Sequence, residues 1–281
     1  VLNVRAIKEL VRHHNLGISP RRMGQNFLVD PRALSRIVAT IGPQPGDRVI
    51  EIGPGLGALT EELVATGATV TAIEKDRGFM KVLVDRFKET QNLTLIHSDI
   101  LKTDLATTAG GAPKSLLVVG NVPFSMTSPI LEFLLHNRQW VKRAVLTIQK
   151  EVAQRIVAQP GTKVYSSITL LVQVAFVPSI AFTISPGSFY PQPKVTSAVV
   201  RLDPVPEPIV PPEEEEAVLK LVRQIFTHRR KTLLNALDLS GFRLGKEELL
   251  KRLNSQKIDP IRRPETFSLE ELLKLYLLIK S

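Results

Sequence analysis

The chain has 281 residues, 43% of them hydrophobic and 23% charged, with a formal net charge of +10 at pH 7. No apolar run approaches the roughly 18 residues that a membrane span needs, and no secretory leader with an apolar core opens the sequence, so the expected location is the cytoplasm. With no Cys, disulfides, thiolate metal sites and Cys nucleophiles are excluded, and the five His (His13, His14, His97, His136, His228) lack ligand spacing, so no metal is expected.

Residues 1–17 read as a short basic amphipathic helix, with Val4, Ile7, Leu10 and Val11 on one side and Gly17 as its stop. A second helix, "PRALSRIVATIG", has Asp30 and Pro31 at its cap and first-turn positions. Strands and helices then alternate: "RVIEIG", "LGALTEELVATG", "TVTAIE", "RGFMKVLVDRFKET", "LTLIHSD", "SLLVVGN", "SPILEFLLHN", "RAVLTIQ". That alternation predicts an α/β domain whose largely parallel sheet is covered on both faces. Residues 166–177 fit a helix or a strand, and "SAVVRLDP" a closing strand. The predicted division is an α/β domain over 1–203, a Pro-rich connector over 204–213, and a helical domain over 214–281. The helices of that last domain are "AVLKLVRQIFTHRRKTLLNAL", "GKEELLKRLN" and "SLEELLKLYLLIK". Charge is uneven, with 23 Lys and Arg against 15 Asp and Glu up to residue 203, and 14 against 12 beyond it. Such a surplus suits a polyanionic partner, or is an ordinary solvated surface.

Candidate site residues fall at consecutive strand ends. In "RVIEIGPGLGALTEEL" a strand meets a Gly-rich turn and then a helix, with Gly53, Gly55 and Gly57 letting backbone approach a nucleotide. Glu74 ends the next strand, 21 residues after Gly53, where an acid accepts hydrogen bonds from ribose hydroxyls. Nicotinamide and S-adenosylmethionine enzymes both place one there. Asp99 ends the third strand, as an acceptor for an adenine amino group or as a helix cap. Asn121, Val122, Pro123 and Phe124 end the fourth. An amino group on a base is a poor nucleophile, because its lone pair is delocalised into the ring. The Asn121 side-chain oxygen and a backbone carbonyl near Val122 or Pro123 can hold both of its N–H bonds and aim the lone pair at a methyl donor. Pro123 stiffens the turn, and Phe124 offers a stacking face worth roughly 1–3 kcal/mol per base.

The ordered motifs "GQNFLVD", "EIGPGLGALT", "AIEKD", "SDIL", "GNVPF", "IQKEVAQRI", "PGTKVYS", "FYPQPKV" and "RRKTLLNAL" resemble the ribosomal RNA adenine N6,N6-dimethyltransferase family, its small-subunit branch above all. The resemblance implies a Rossmann-like class I methyltransferase domain with a small C-terminal all-helical domain. It implies S-adenosyl-L-methionine as cofactor, and dimethylation of two adjacent adenines near the 3′ end of small-subunit rRNA. Cofactor contacts are implied for Gln25, Asn26, Leu28, Gly53, Gly55, Glu74, Lys75, Asp99, Ile100 and Asn121. Catalytic roles are implied for Asn121, Pro123, Phe124 and Phe189, the last closing the second face of a flipped base. Four positions depart from the family pattern: Val122 and Phe124, in a Val-Pro-Phe that replaces Leu-Pro-Tyr, Ser166, which replaces Gly, and Thr196, which replaces Asp.

Under this resemblance Arg21, Arg22, Arg138, Lys142, Arg143, Lys150, Arg155, Lys194, Arg229, Arg230 and Lys231 are candidates for rRNA phosphate contacts. The implied partner is small-subunit rRNA within a pre-small-subunit particle, met by a monomer. Rival readings are a large-subunit adenine methyltransferase of the macrolide-resistance type, a non-catalytic RNA-binding factor on the same fold, and a nicotinamide oxidoreductase. The Gly-rich loop permits the oxidoreductase, which leaves Asn121-Val-Pro-Phe without a purpose.

Overall fold

A computed structural model describes residues 2–17, 26–242 and 244–280. The chain forms two compact units, one from the segment up to Ala153 with Pro178–Pro204, the other from Gln154–Val177 with the segment from Val205 onward. The expected contiguous division at 203 does not describe this partition, because residues 154–177 join the C-terminal helices.

In the first unit, a seven-stranded sheet runs in the order β4 (Leu93–His97), β3 (Thr69–Glu74), β2 (Arg48–Ile52), β5 (Leu116–Asn121), β6 (Val141–Gln149), β9 (Ser197–Pro204), β7 (Phe176–Ile184). The first five strands are parallel and β9 lies antiparallel to β6. Val49, Ile50 and Ile52 of β2 and Leu116 to Val119 of β5 are all buried, as strands covered on both faces require. The chain steps outward from β2 to β3 and β4, then returns past β2 to β5. Strand order therefore reverses between β2 and β5, and such a reversal opens a crevice at the C-terminal strand ends.

Helices α1 (Val4–His13), α2 (Pro31–Ile41), α3 (Ala58–Val64), α4 (Arg77–Arg86), α5 (Leu105–Ala109) and α6 (Thr127–His136) accompany this sheet. Asp30 caps α2 by accepting from the Arg32 N–H at 3.0 Å, Pro31 opens the first turn, and Gly42 ends the helix at φ +67°. Its helical spacing puts Ala33, Leu34, Ile37 and Ile41 on one face, packed with Val119, Val145 and Val199 of the sheet. Each fully buried Leu or Ile contributes about 1.5–3 kcal/mol. In α1, Ile7 is buried and packs with Leu2 against Leu56 and Phe79. A two-residue pairing unites β1 (Phe27–Leu28) with β8 (Phe189–Tyr190), Leu28 opposite Phe189. It brings together two motifs more than 150 residues apart in the chain, pairing Phe27 with Tyr190 and Leu28 with Phe189.

The second unit holds α8 (Ser167–Gln173), α9 (Pro212–Thr227), α10 (Leu233–Leu239), α11 (Lys246–Ser255) and α12 (Leu269–Lys280); the short α7 (Lys150–Ile156) leads into it. Residues 166–177 resolve into a helix followed by the start of β7. α8 buries Leu170, Leu171 and Val172, and the Val205 N–H donates to the Ala175 carbonyl at 2.9 Å. Those contacts draw this stretch to the helices. The helix expected across 217–237 is two helices. α9 stops at Thr227, Thr232 turns extended at ψ 157°, and the first N–H groups of α10, from Leu233 and Leu234, donate to the Arg262 and Pro260 carbonyls. Tertiary acceptors thus replace the intrahelical ones.

Candidate active site

At the end of β2 the backbone turns through positive φ at Gly53 (+64°) and Gly55 (+58°). A methyl group built on Gly53 would meet nothing within 4 Å, whereas one on Gly55 would press to 3.2 Å from the Phe27 ring. Gly53 therefore presents bare backbone to open space, and Gly55 makes room for Phe27. The loop is tied to β3 through Glu74, whose Oε2 accepts from the Gly55 N–H at 3.0 Å and Oε1 from the Asp76 N–H at 2.7 Å. Each oxygen retains a lone pair for a further donor. Glu74 is 7% exposed, and burial raises its carboxyl above the ordinary range against the pull of these N–H groups.

Asp99 accepts from Lys75 Nζ at 2.8 Å and from the Leu101 N–H at 3.1 Å, so it caps the turn Ile100–Lys102 as well as facing the crevice. The Lys75 hydrogen bond holds its carboxyl below the usual value. Lys75 itself is largely exposed, at the rim.

Asn121 ends β5 with its amide oriented: Nδ2 donates to the Asn26 carbonyl at 2.9 Å, and no described residue pairs with Oδ1. Beyond it, the Met126 N–H occupies the Pro123 carbonyl at 2.8 Å. The Val122 carbonyl accepts from no described residue. Of the two carbonyls open to the sequence reading, Val122 supplies the available one. Phe124 is half-buried in a single turn, Phe124–Met126. Phe189 is buried in the core beside Leu28.

One cavity of about 610 Å³ is lined by every described residue of the expected catalytic and cofactor sets: Asn26, Leu28, Gly53, Gly55, Glu74, Lys75, Asp99, Ile100, Asn121, Pro123, Phe124 and Phe189. Gln25 lies outside the described residues. The cavity also takes in Leu2 and Ile7 from the N-terminal helix region, Phe27, and Glu51, which the sequence reading did not assign. Glu51 had a signal: a lone acid inside the apolar strand "RVIEI". It is 2% exposed, accepts from Thr60 Oγ1 at 2.6 Å through Oε2, and is pushed up to about 8 by burial, with the Glu74 carboxylate adding to the rise.

Neither Glu51 nor Glu74 meets a cation among the described residues. A buried acid with no cation beside it suits a ligand that brings its own positive charge, such as a sulfonium. S-adenosyl-L-methionine fits that description. The ligand-free protein should lose stability as pH rises from about 4.5 to about 8, because the folded chain keeps a proton on Glu51 that the unfolded chain has released. Thermal melting across pH should show this slope flattened in Glu51→Gln; an unchanged profile would contradict it.

The candidate phosphate contacts divide. Lys142 pairs with Asp47 at 3.1 Å, and Arg143 with Asp203 at 2.8 Å while also reaching the Ile41 carbonyl. Arg138 donates to the Leu135 carbonyl. These three sit at or before the start of β6, at the sheet edge opposite the cavity, where local acids and carbonyls engage them. Lys150 is exposed at the cavity end of β6, and Lys194 is exposed one residue after the cavity-lining Pro193. Arg155 and Arg229 belong to the second unit, and Arg229 donates to the Lys163 carbonyl. Arg230 and Lys231 are exposed there. Arg21 and Arg22 lie outside the described residues. No metal-binding cluster exists among the described residues, and none of their helices is long and apolar enough to cross a membrane.

Comparison with known proteins converges on one family. A family model described as ribosomal RNA adenine dimethylase matches residues 19–280. A protein named ribosomal RNA small subunit methyltransferase A from Clostridium acetobutylicum is 41% identical over 268 residues, 95% of this chain and 96% of its own length. One of the same name from Enterococcus faecalis is 40% identical over 276 residues, 95% and 92% of the two chains. Among solved structures, a dimethyladenosine transferase from Plasmodium falciparum superposes with a TM-score of 0.73 at 26% identity, covering 90% of this chain and 97% of that one. The 23S rRNA methyltransferase ErmE gives 0.68 at 25% identity, covering 91% and 100%. The fold is that of the S-adenosylmethionine-dependent methyltransferases, and with the match extending over nearly all of its length, the chain belongs to the ribosomal RNA adenine dimethylase family.

Proposed function

We propose that this protein uses S-adenosyl-L-methionine to dimethylate the N6 amino groups of two adjacent adenines near the 3′ end of small-subunit rRNA, acting as a cytoplasmic monomer on a pre-small-subunit particle. The observation that carries the reading is the pair of open acceptors at the end of β5, Asn121 Oδ1 and the Val122 carbonyl. Two acceptors and no donor are what an exocyclic amino group needs. They hold its two N–H bonds, turn the nitrogen lone pair away from the ring, and stabilise the positive charge that grows there as the new bond forms. The Asn26 carbonyl fixes which end of the amide faces the base. Phe124 supplies a face for stacking, and its ring favours a developing cation. Phe189 backs the same cavity from the core. No general base is required, since the methylated amino group sheds its proton readily. When bound, the cofactor supplies an electrophilic methyl group; Gly53, Glu74 and Asp99 are placed to hold its nucleoside end.

Support for the small subunit as substrate comes from the names of the relatives at 40–41% identity, and support for adenine from the acceptor pair. Digestion of treated small-subunit rRNA to nucleosides should yield N6,N6-dimethyladenosine. Accumulation of the monomethyl form alone would overturn the dimethylation. For docking, Arg230 and Lys231 are the exposed cations of the "RRKTLL" turn, so Arg230→Ala with Lys231→Ala should weaken particle binding. The slope of log affinity against log salt should shallow by about 1.5. An unaltered slope would remove the turn from the interface.

A further inference from the structure

Glu51 is used by none of the steps above, yet it lines the same cavity with one oxygen, Oε1, that no described residue engages. Its place in the sheet is informative. Glu51 is in register with Ala72 on β3 and Val119 on β5. Glu74 and Asn121 lie two residues further along those strands, and the two-residue period puts all three side chains on one face. Glu51 thus sits beneath the Gly-rich loop, between the acid assigned to the ribose and the amide assigned to the target amino group. In S-adenosylmethionine the sulfur joins the ribose to the transferable methyl, so it belongs between those two points.

We infer that Glu51 distinguishes the charged methyl donor from its neutral product, giving up a proton when the sulfonium occupies the cavity and holding one when the product does. The inference rests on the reading of this cavity as the S-adenosylmethionine site. The groups facing Glu51 allow it. Thr60 on α3 donates to Oε2, Glu74 on β3 is a like charge, the register partners Ala72 and Val119 are apolar, and the other charged residues lining the cavity are Asp76, Asp99 and Lys75. Lys75 is already paired with Asp99. Among the described residues no fixed cation therefore competes with the ligand for control of this carboxyl, and burial keeps it protonated near neutrality in the ligand-free cavity.

The balance is simple. The sulfonium donor has a net charge of +1 and its thioether product none. During transfer the carbon–sulfur bond breaks with its electron pair kept by sulfur, a carbon–nitrogen bond forms, and the amino group loses one proton to solvent. Glu51 releases a proton to solvent on donor binding and regains one as the positive charge leaves. A carboxylate left unpaired and buried beside the neutral product would be costly, so the proton's return accompanies product formation, and preference for the donor comes from the carboxylate–sulfonium attraction that the product lacks.

The test is calorimetric titration of the protein with S-adenosylmethionine and with S-adenosylhomocysteine at pH 7, in buffers of different ionisation enthalpy. The wild-type protein should release close to one proton on binding the donor and essentially none on binding the product. Release should fade above about pH 8, where Glu51 is already ionised. In Glu51→Gln, which mimics the protonated acid and keeps an acceptor for Thr60, release should vanish and preference for donor over product should fall on the order of tenfold. Equal release with both ligands would overturn the inference, as would release that persists in Glu51→Gln, which would point to Glu74. Failure of the wild-type protein to bind either ligand would instead overturn the reading of the cavity, and the inference with it.

Discussion

Asn121→Ala should lower kcat for methyl transfer by at least about a hundredfold, the scale on which removing one preorganised hydrogen-bonding group slows an enzyme. The substitution removes the Oδ1 acceptor and leaves the Val122 carbonyl to hold the amino group by one N–H, free to rotate its lone pair back into conjugation. It also releases the Asn26 carbonyl, bonded to Nδ2 at 2.9 Å. That loss should cost about 1 kcal/mol of stability, too little to unfold a domain with this sheet. Steady-state kinetics with melting temperature as a control separates the two effects. Near-normal turnover in a folded Asn121→Ala protein would remove the acceptor pair from the mechanism.

Glu74→Ala should weaken S-adenosylmethionine binding by about a hundredfold. Under the proposed function its carboxylate holds the ribose hydroxyls, and hydrogen bonds to a charged group are worth about 1.5–3 kcal/mol each. It also accepts from the Gly55 and Asp76 N–H groups, so its removal leaves two backbone donors at the loop without their acceptor. Glu74→Gln keeps one carbonyl oxygen and loses the charge, and should fall between wild type and Ala. Equilibrium binding of the cofactor to the three proteins checks the order. Equal affinities would place the ribose elsewhere.

What the sequence made legible was local. The apolar runs of β2 and β5, the Asp30–Pro31 cap, and the acids and amide at successive strand ends were readable because each is written in a few adjacent residues. The structure gathers the described members of that set around one cavity. What escaped depends on partners far away in the chain. The β1–β8 pairing sets Leu28 against Phe189. Lys142 and Arg143 read as free basic charge until Asp47 and Asp203 are found beside them. The break after Thr227 is made by carbonyls from residues 260 and 262, and no helical period announces it. The joining of 154–177 to the C-terminal helices likewise follows from packing, which a contiguous division cannot express. Glu51 is different, since its oddness was visible in "RVIEI" but its meaning required knowing that Glu74 and Asn121 flank it.

The most direct test of the proposed function is transfer of labelled methyl groups from S-adenosylmethionine to unmethylated small and large ribosomal subunits in parallel. Label should appear in small-subunit RNA, confined to two adjacent adenines near its 3′ end, and be absent from the large subunit. Label in the large subunit alone would contradict this account and align the protein with the 23S rRNA methyltransferases it also resembles.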